Sequence, residues 1–252
     1  MKTFIPTLAL LGVVCAKAGA QPIAAATEPL PGLAAPAKGQ WTTVWEEGFE
    51  KGAPGQPLGG GWKQDHPRHF VVLSDAAALS GRQSALILYA VDPKVARQDE
   101  NNSFSAQAPV PRPAGDAPGV WRVSGAWKFS PVAWTATAIQ LQGVGWPRPV
   151  TLFCSDNALS LGEDVARPVW NRAKPDQWYR FEFTLHEREG LFDLRVGEDG
   201  QTWRNEFFGV PLPAAKPFSS IAFRYVGGYY PDSAGRKTYL DDLRVEKWTP
   251  AP

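Results

Sequence analysis

The sequence predicts an all-β protein built as a two-sheet antiparallel β-sandwich. Three observations predict this class: apolar and polar residues alternate over many short runs, no run has the periodicity of an amphipathic helix, and 24 glycines and 24 prolines separate the runs. Alternation with a period of two is typical of a strand with one buried face. Frequent Gly and Pro favour many turns, whereas an α/β fold would need helical segments between its strands.

The clearest alternation lies in residues 120–129, where Trp121, Val123, Trp127 and Phe129 share one face. Residues 179–186 and 191–196 alternate in the same way on either side of a Glu-Arg-Glu-Gly turn, which predicts a hairpin. Further strands are predicted at 221–225 and 239–245, and less regular ones at 84–91, 137–142 and 150–153. We expect about ten strands, with the Pro- and Ala-rich residues 106–118 forming a long loop.

The first residues have the pattern of a secretory signal, with Lys2, an apolar run over 8–14 and the small residues Ala18-Gly19-Ala20. A membrane anchor would need roughly 20 continuous apolar residues, and Lys17 interrupts the run. We therefore expect a signal peptide at 1–20, a periplasmic or extracellular (secreted) protein, and no membrane insertion after signal removal.

Composition separates the remaining chain into two parts. Residues 21–40 are mostly Ala, Pro and Gly and predict a flexible tether. Residues 41–252 have no second segment of this kind and predict a single β-sandwich domain. With 26 basic and 25 acidic side chains there is no basic excess of the kind that nucleic-acid-binding proteins carry, so no nucleic-acid partner is expected.

Two segments at opposite ends of the domain resemble a known family. Glu47-Gly48-Phe49-Glu50 precedes a Gly- and Pro-rich stretch ending at Gly61-Trp62, and the closing segment is Thr238-Tyr239-Leu240-Asp241-Asp242-Leu243-Arg244-Val245. Together with residues 80–86, this pattern resembles the concanavalin A-like lectin/glucanase superfamily and related bacterial jelly-roll carbohydrate-binding modules. The resemblance implies a concanavalin A-like jelly roll and a polysaccharide or glycan partner.

The closing segment also predicts a buried carboxylate. If Tyr239, Leu243 and Val245 face the core, the period of two places Asp241 on the same face. A buried carboxylate needs a cation, an arginine or several backbone donors. The resemblance implies a structural Ca²⁺ bridging Asp241 and Glu50, which would suit the preference of Ca²⁺ for oxygen ligands; an Arg partner or backbone caps are the alternatives.

Candidates for catalysis are few. Glycan cleavage commonly uses two placed carboxylates, and the Glu-x-Asp-x-x-Glu signature of retaining glucanases on this fold is absent. Glu182 stands alone on its strand, and His66 lies beside Arg68 in a His-Pro-Arg-His segment that offers a base with an anion clamp, half a metal site, or simply a solvated loop. His66 and Glu182 are the catalytic candidates.

Sugar binding uses aromatic faces for stacking and polar side chains for hydroxyl groups. Several residues in loop-like contexts or on strand faces directed away from the core fit this need, and loop packing is the alternative for each aromatic one. The ligand-binding candidates are Arg68, Trp134, Gln140, Trp146, Trp170, Arg224, Tyr229 and Tyr230.

Three functions follow as hypotheses. The first is an exported carbohydrate-binding or glycan-associated jelly-roll domain with a structural calcium ion. The second is a glycoside hydrolase or polysaccharide lyase on the same fold, with its site on the concave face. The third is a cell-surface structural or protein-binding module.

Overall fold

A computed structural model describes residues 38–64, 71–88, 104–113, 115–129, 136–155, 158–162, 168–170, 173–214, 216–226 and 237–251. These residues form fifteen strands, where the sequence predicted about ten, and no helix. The described part of the chain therefore contains no helix of the length and hydrophobicity that a bilayer-spanning segment needs.

The strands form two antiparallel sheets, which confirms the predicted sandwich. Sheet A contains eight strands: β1 (Gly39–Glu47), β3 (Val71–Ser74), β4 (Ser84–Leu88), β6 (Val120–Phe129), β11 (Trp178–His186), β12 (Leu191–Glu198), β13 (Asn205–Pro211) and β15 (Lys237–Pro250). Sheet B contains seven: β2 (Lys63–Gln64), β5 (Phe104–Pro109), β7 (Ala136–Gly143), β8 (Val150–Ser155), β9 (Ala158–Leu161), β10 (Pro168–Trp170) and β14 (Phe218–Val226).

The order of strands is β13-β12-β11-β6-β15-β4-β3 in sheet A and β10-β9-β8-β7-β14-β5-β2 in sheet B. Strand β15 is long enough to pair with β4 near its start and with β1 over the rest of its length. The first and last described strands are therefore neighbours, with β15 at the centre of the sheet and β1 paired, among the described strands, with β15 alone.

The core lies between the two sheets. Strand β6 directs Trp121, Val123, Trp127 and Phe129 into it, as the alternation predicted. Sheet B supplies the opposing layer, with residues such as Ile139 fully buried. Burial of so much aromatic and aliphatic surface is the main favourable contribution to stability.

The predicted loop over 106–118 is wrong at its start. Residues up to Pro109 belong to β5, which pairs with β14. Ala106 and Ala108 face the core. Because alanine is small and weakly apolar, the alternation of this strand is not evident in the sequence.

The predicted orientation of Tyr239 is also wrong. Tyr239 packs in a separate cluster with Val72 and Leu86, whereas Leu240 lies in the main core. The register of β15 against β6 shifts between Asp241 and Arg244, and Asp242 has a φ of +51°. This β-bulge changes which side chains face inward, so Leu243 returns to the core face.

A buried ion pair joins the two sheets at one end of the sandwich. Glu187 accepts hydrogen bonds from both terminal nitrogens of Arg112, at 2.6 and 3.2 Å. It also accepts from the Gly119 amide, the Trp121 indole and the Phe218 amide, at 2.9, 3.1 and 2.7 Å. One fully buried carboxylate thus fixes the β11–β12 turn, the start of β6 and the start of β14.

We predict that Glu187→Gln lowers the free energy of unfolding by about 2–4 kcal/mol, because the buried Arg112 guanidinium then keeps only Asp116, at 3.4 Å, as a counter-charge. Urea denaturation monitored by tryptophan fluorescence measures the loss. The exposed neighbour Glu189 gives the matched control, and Glu189→Gln should change stability by less than about 0.5 kcal/mol. Equal effects of the two substitutions would contradict the role assigned to Glu187.

Candidate functional site

The outer face of sheet B carries amide and hydroxyl side chains in register across neighbouring strands. On β7, Ile139 and Leu141 face the core, so the residues between them face outward. We call this surface the amide face; its described members are Ser105, Gln107, Ala138, Gln140, Gln142, Thr151, Phe153, Ser160, Ser220, Ala222 and Arg224. Four of them are half-buried, namely Ser105, Gln107, Gln142 and Arg224, and the other seven are buried.

Two of the predicted ligand-binding residues lie together on the amide face. Gln140 is opposite Ala222 on β14, and Arg224 is opposite Ala138 on β7, so Gln140 and Arg224 are diagonal neighbours. Gln140 is buried and donates a hydrogen bond of 3.3 Å to the Thr151 hydroxyl, while Arg224 is half-buried.

A second group of amides on this face was missed by the sequence reasoning. The Gln107 side-chain nitrogen donates to Gln142 at 3.0 Å and to the Ser220 hydroxyl at 2.7 Å. Gln142 lies two residues from Gln140, so the alternation on β7 could have found it. Gln107 was missed because its strand was predicted to be a loop.

The two sheets differ sharply in charge. The described strands of sheet B contain no Asp, Glu or His. By contrast, the described strands of sheet A contain nine acidic residues, on β1, β11, β12, β13 and β15. The amide face can donate and accept hydrogen bonds, but its described strands supply no carboxylate for proton transfer. This chemistry suits recognition of uncharged hydroxyl groups.

Five predicted site residues lie outside the described residues, namely His66, Arg68, Trp134, Tyr229 and Tyr230. The described strand ends nearest to them in the chain are Gln64, Ala136 and Val226. Val226 pairs with Ala136 at one end of sheet B, whereas Gln64 pairs with Ala106, which is level with Phe223 on β14.

Trp146 and Trp170 lie apart from Gln140 and Arg224. The Trp146 indole donates to the Lys216 carbonyl at 2.9 Å, and its ring packs against the core. Trp170 meets Tyr179 edge to face, with ring centroids 5.3 Å apart. Both contacts are packing contacts, and stacking of either ring on a sugar stays a prediction.

Glu182 lies on the other side of the sandwich, on the outer face of sheet A. It lines a groove of about 530 Å³ together with Arg122, Ser124 and Glu246, among others. Burial raises the pKa of the Glu182 carboxyl, although the Arg122 and Arg195 guanidiniums act in the opposite direction. Glu182 is therefore separated by the whole sandwich from Gln140 and Arg224.

Glu50 and Asp241 hold the same loop, residues 75–83. Asp241 is fully buried and accepts from the Leu79, Ser80 and Asp242 amides, at 2.7, 3.3 and 2.8 Å. Glu50 accepts from the Arg82 and Gln83 amides, at 2.7 and 2.9 Å. These amide hydrogen bonds lower the pKa of the Glu50 carboxyl.

The backbone caps at Asp241 correspond to one of the alternatives that the sequence left open. Gly81 allows Glu50 to approach, since a Cβ at this position would lie 2.3 Å from Glu50 Oε1. The described residues contain no cluster of three or more acidic, His or Cys side chains that could hold a metal ion. A calcium site at these two carboxylates would therefore depend on backbone carbonyls, and it stays a prediction.

Comparisons with solved structures identify the fold. SCLam, a non-specific endo-β-1,3(4)-glucanase from family GH16, is similar over 85% of this chain and 93% of its own, with 14% identity and a TM-score of 0.52. The protein has the concanavalin A-like jelly-roll fold. This confirms the fold that the resemblance implied.

Two other structures share this jelly roll. An endo-acting O-glycanase from prominent members of the human gut microbiota matches 81% of this chain and 98% of its own, at 11% identity and a TM-score of 0.53. A carbohydrate esterase from the Shiga toxin-encoding bacteriophage phi24B matches 82% and 99%, at 14% identity and 0.52. No protein-family model and no curated protein sequence matches the chain.

The buried Asp241 gives a prediction on pH. Burial raises the pKa of its carboxyl from 3.8 to about 6, although backbone amides act against this shift. The folded state therefore holds this proton more tightly than the unfolded chain, and Asp241 makes the fold less stable by ~3 kcal/mol as the pH rises from 3.8 to about 6.

We expect Asp241→Asn to remove this dependence, so that the stability difference between wild type and variant shrinks or reverses as the pH rises through this window. Urea denaturation at about pH 4 and about pH 6.5 measures it, since these values bracket the change. Asp75→Asn, a substitution at an exposed position in the same loop, should keep the wild-type dependence of the free energy of unfolding on pH. An unchanged slope in Asp241→Asn would contradict the prediction.

Proposed function

We propose that the protein is an exported glycan-binding jelly-roll domain whose ligand lies on the amide face. The observation that carries this proposal is the chemistry of sheet B, whose outer face contains amides, hydroxyls and one guanidinium on strands without acidic residues. Gln107, Gln142 and Arg224 are the half-buried side chains of this set that a ligand could reach first. Side chains of this kind make the hydrogen bonds that sugar hydroxyls need.

The fold supports this proposal as an analogy. The glucanase, the O-glycanase and the esterase that share the jelly roll are all named for carbohydrate chemistry. Fold alone is compatible with many functions, so the argument depends on the side chains of the amide face. Export and a periplasmic or extracellular location rest on the signal-like residues 1–20.

The two other hypotheses have less support. A hydrolase or lyase would need a proton donor or acceptor beside the bound sugar, and the described strands of sheet B supply no Asp, Glu or His. A structural or protein-binding module is favoured by a flat aliphatic face, whereas Gln107, Gln140 and Gln142 make the amide face polar.

We predict that the double variant Gln107→Ala/Gln142→Ala weakens binding of neutral polysaccharide at least tenfold, because both amides that bridge β5 and β7 are lost. Affinity gel electrophoresis against a panel of neutral polysaccharides, followed by calorimetry on the best ligand, measures the effect. Gln201→Ala removes an exposed amide outside the face and should leave affinity unchanged.

Two results would overturn the glycan-binding proposal. One is the absence of binding to every polysaccharide by the folded wild-type protein. The other is equal affinity in the double variant and the wild type when both have the same Tm. Release of new reducing or unsaturated ends from the polysaccharide would replace binding with cleavage.

We also propose that a calcium ion binds where Glu50 and Asp241 hold loop 75–83. Calcium would neutralise the buried Asp241 carboxylate, and we expect Tm to rise in millimolar calcium relative to EDTA. Asp241→Asn should remove this response, whereas Asp75→Asn should keep it. Identical melting in calcium and EDTA would show that the backbone amides alone stabilise Asp241.

A further inference from the structure

A row of six side chains crosses the outer face of sheet A. The strand registers place Glu206, Arg195, Glu182, Ser124, Arg244 and Glu46 opposite one another on β13, β12, β11, β6, β15 and β1. Opposite charges on facing positions of neighbouring strands stabilise a sheet. The row alternates in this way except at Ser124.

The ion pairs of the row weaken toward Ser124. Arg195 lies 3.2 Å from Glu206 but 3.9 Å from Glu182. On the other side of the gap, Arg244 lies 3.8 Å from Glu46 and its side chain is 53% exposed. The short serine therefore leaves Glu182 and Arg244 facing each other across open space, and this space is the groove of about 530 Å³.

The Glu182 carboxylate is largely buried but has no close partner in the described part of the chain. Its side chain is only 17% exposed, and its nearest cations are Arg195 at 3.9 Å and Arg122 at 4.0 Å. No hydrogen bond from a described residue reaches it. Arg122 is engaged elsewhere, since it pairs with Glu246 at 2.7 Å and stacks on Trp41.

The groove as a whole is acidic. Its lining contains five carboxylates, Glu46, Glu47, Glu182, Asp242 and Glu246, against three guanidiniums, Arg122, Arg180 and Arg244. Each of these arginines has a carboxylate partner, with Arg180 held by Asp199 at 2.5 Å. An anionic ligand is therefore disfavoured, and a ligand that brings a positive charge to Glu182 is favoured.

We propose that this groove binds an amino sugar, with the ligand's ammonium group at Glu182 and its hydroxyl oxygens at Arg244 and Arg180. Such a ligand would bring a positive charge to Glu182 on the side where Ser124 leaves it open, and it would place hydroxyl oxygens beside Arg244. The site is separate from the amide face, and it rests on the proposed function only for the choice of a sugar as the ligand. The volume matches that of small-molecule sites in proteins, about 300–1,000 Å³.

Calorimetry with a glucosamine tetramer tests the proposal, and the fully N-acetylated tetramer is the matched ligand without ammonium groups. We expect the glucosamine tetramer to bind at least tenfold more tightly than the acetylated one. Glu182→Gln should remove this preference, whereas Glu206→Gln, in the same row but outside the groove, should retain it. Equal affinity for the two tetramers, or a preference that survives Glu182→Gln, would overturn the proposal.

Ser124→Gln provides a second variant that fills the groove. The new amide can donate to Glu182 and accept from Arg244. We therefore expect this variant to lose binding of the glucosamine tetramer while its Tm stays equal to or above that of the wild type. Retention of binding in this variant would overturn the proposal. Binding of tri-lysine as tightly as the tetramer would also overturn it, because the ligand would then need no sugar.

The Gln107→Ala/Gln142→Ala variant separates this proposal from the function proposed for the amide face. That variant should bind the glucosamine tetramer as the wild type does, even if neutral polysaccharide no longer binds. If this variant no longer bound the tetramer although its Tm was unchanged, the amino sugar would be placed on the amide face and the groove assignment would be overturned.

Discussion

The buried pair of Glu187 and Arg112 is the contact on which the rest of the sandwich depends. Its carboxylate accepts hydrogen bonds from Gly119 and Trp121 at the start of β6 in sheet A and from Phe218 at the start of β14 in sheet B. Arg112 also donates to the Phe218 carbonyl at 3.0 Å. A buried ion pair is stabilising only when its remaining hydrogen-bonding groups are satisfied. Both oxygens of Glu187 accept hydrogen bonds and both terminal nitrogens of Arg112 donate them, so the pair joins sheet A and sheet B at that end.

The fixed sandwich separates two kinds of surface. The outer face of sheet A carries rows of carboxylates and guanidiniums, while the strands of sheet B carry amides and hydroxyls on their outer face. Cross-strand pairing explains the first pattern, since opposite charges stabilise each other on neighbouring strands. Cross-strand hydrogen bonds between side chains, such as those from Gln107 to Gln142 and Ser220, connect the second pattern.

The bulge at Asp241 and Asp242 shows how one local change redirects a whole strand. Before it, Tyr239 packs outside the main core, and after it Leu243 and Val245 pack inside. The bulge also leaves Asp241 under the loop of Leu79 and Ser80, where backbone amides replace water. The same segment therefore connects sheet geometry with the buried Asp241 carboxyl, whose pKa burial raises to about 6.

The sequence by itself determined the sandwich, the core face of β6, the β11–β12 hairpin and the outward position of Gln140 and Arg224, because a strand's period of two is a local property. Only the tertiary structure decided the partners of Glu187, the strand at 104–109, and the separation of Glu182 from Gln140. These depend on which strands become neighbours, and on a bulge that breaks the period. Long-range register brings Ser124 between Glu182 and Arg244, and no local pattern encodes that register.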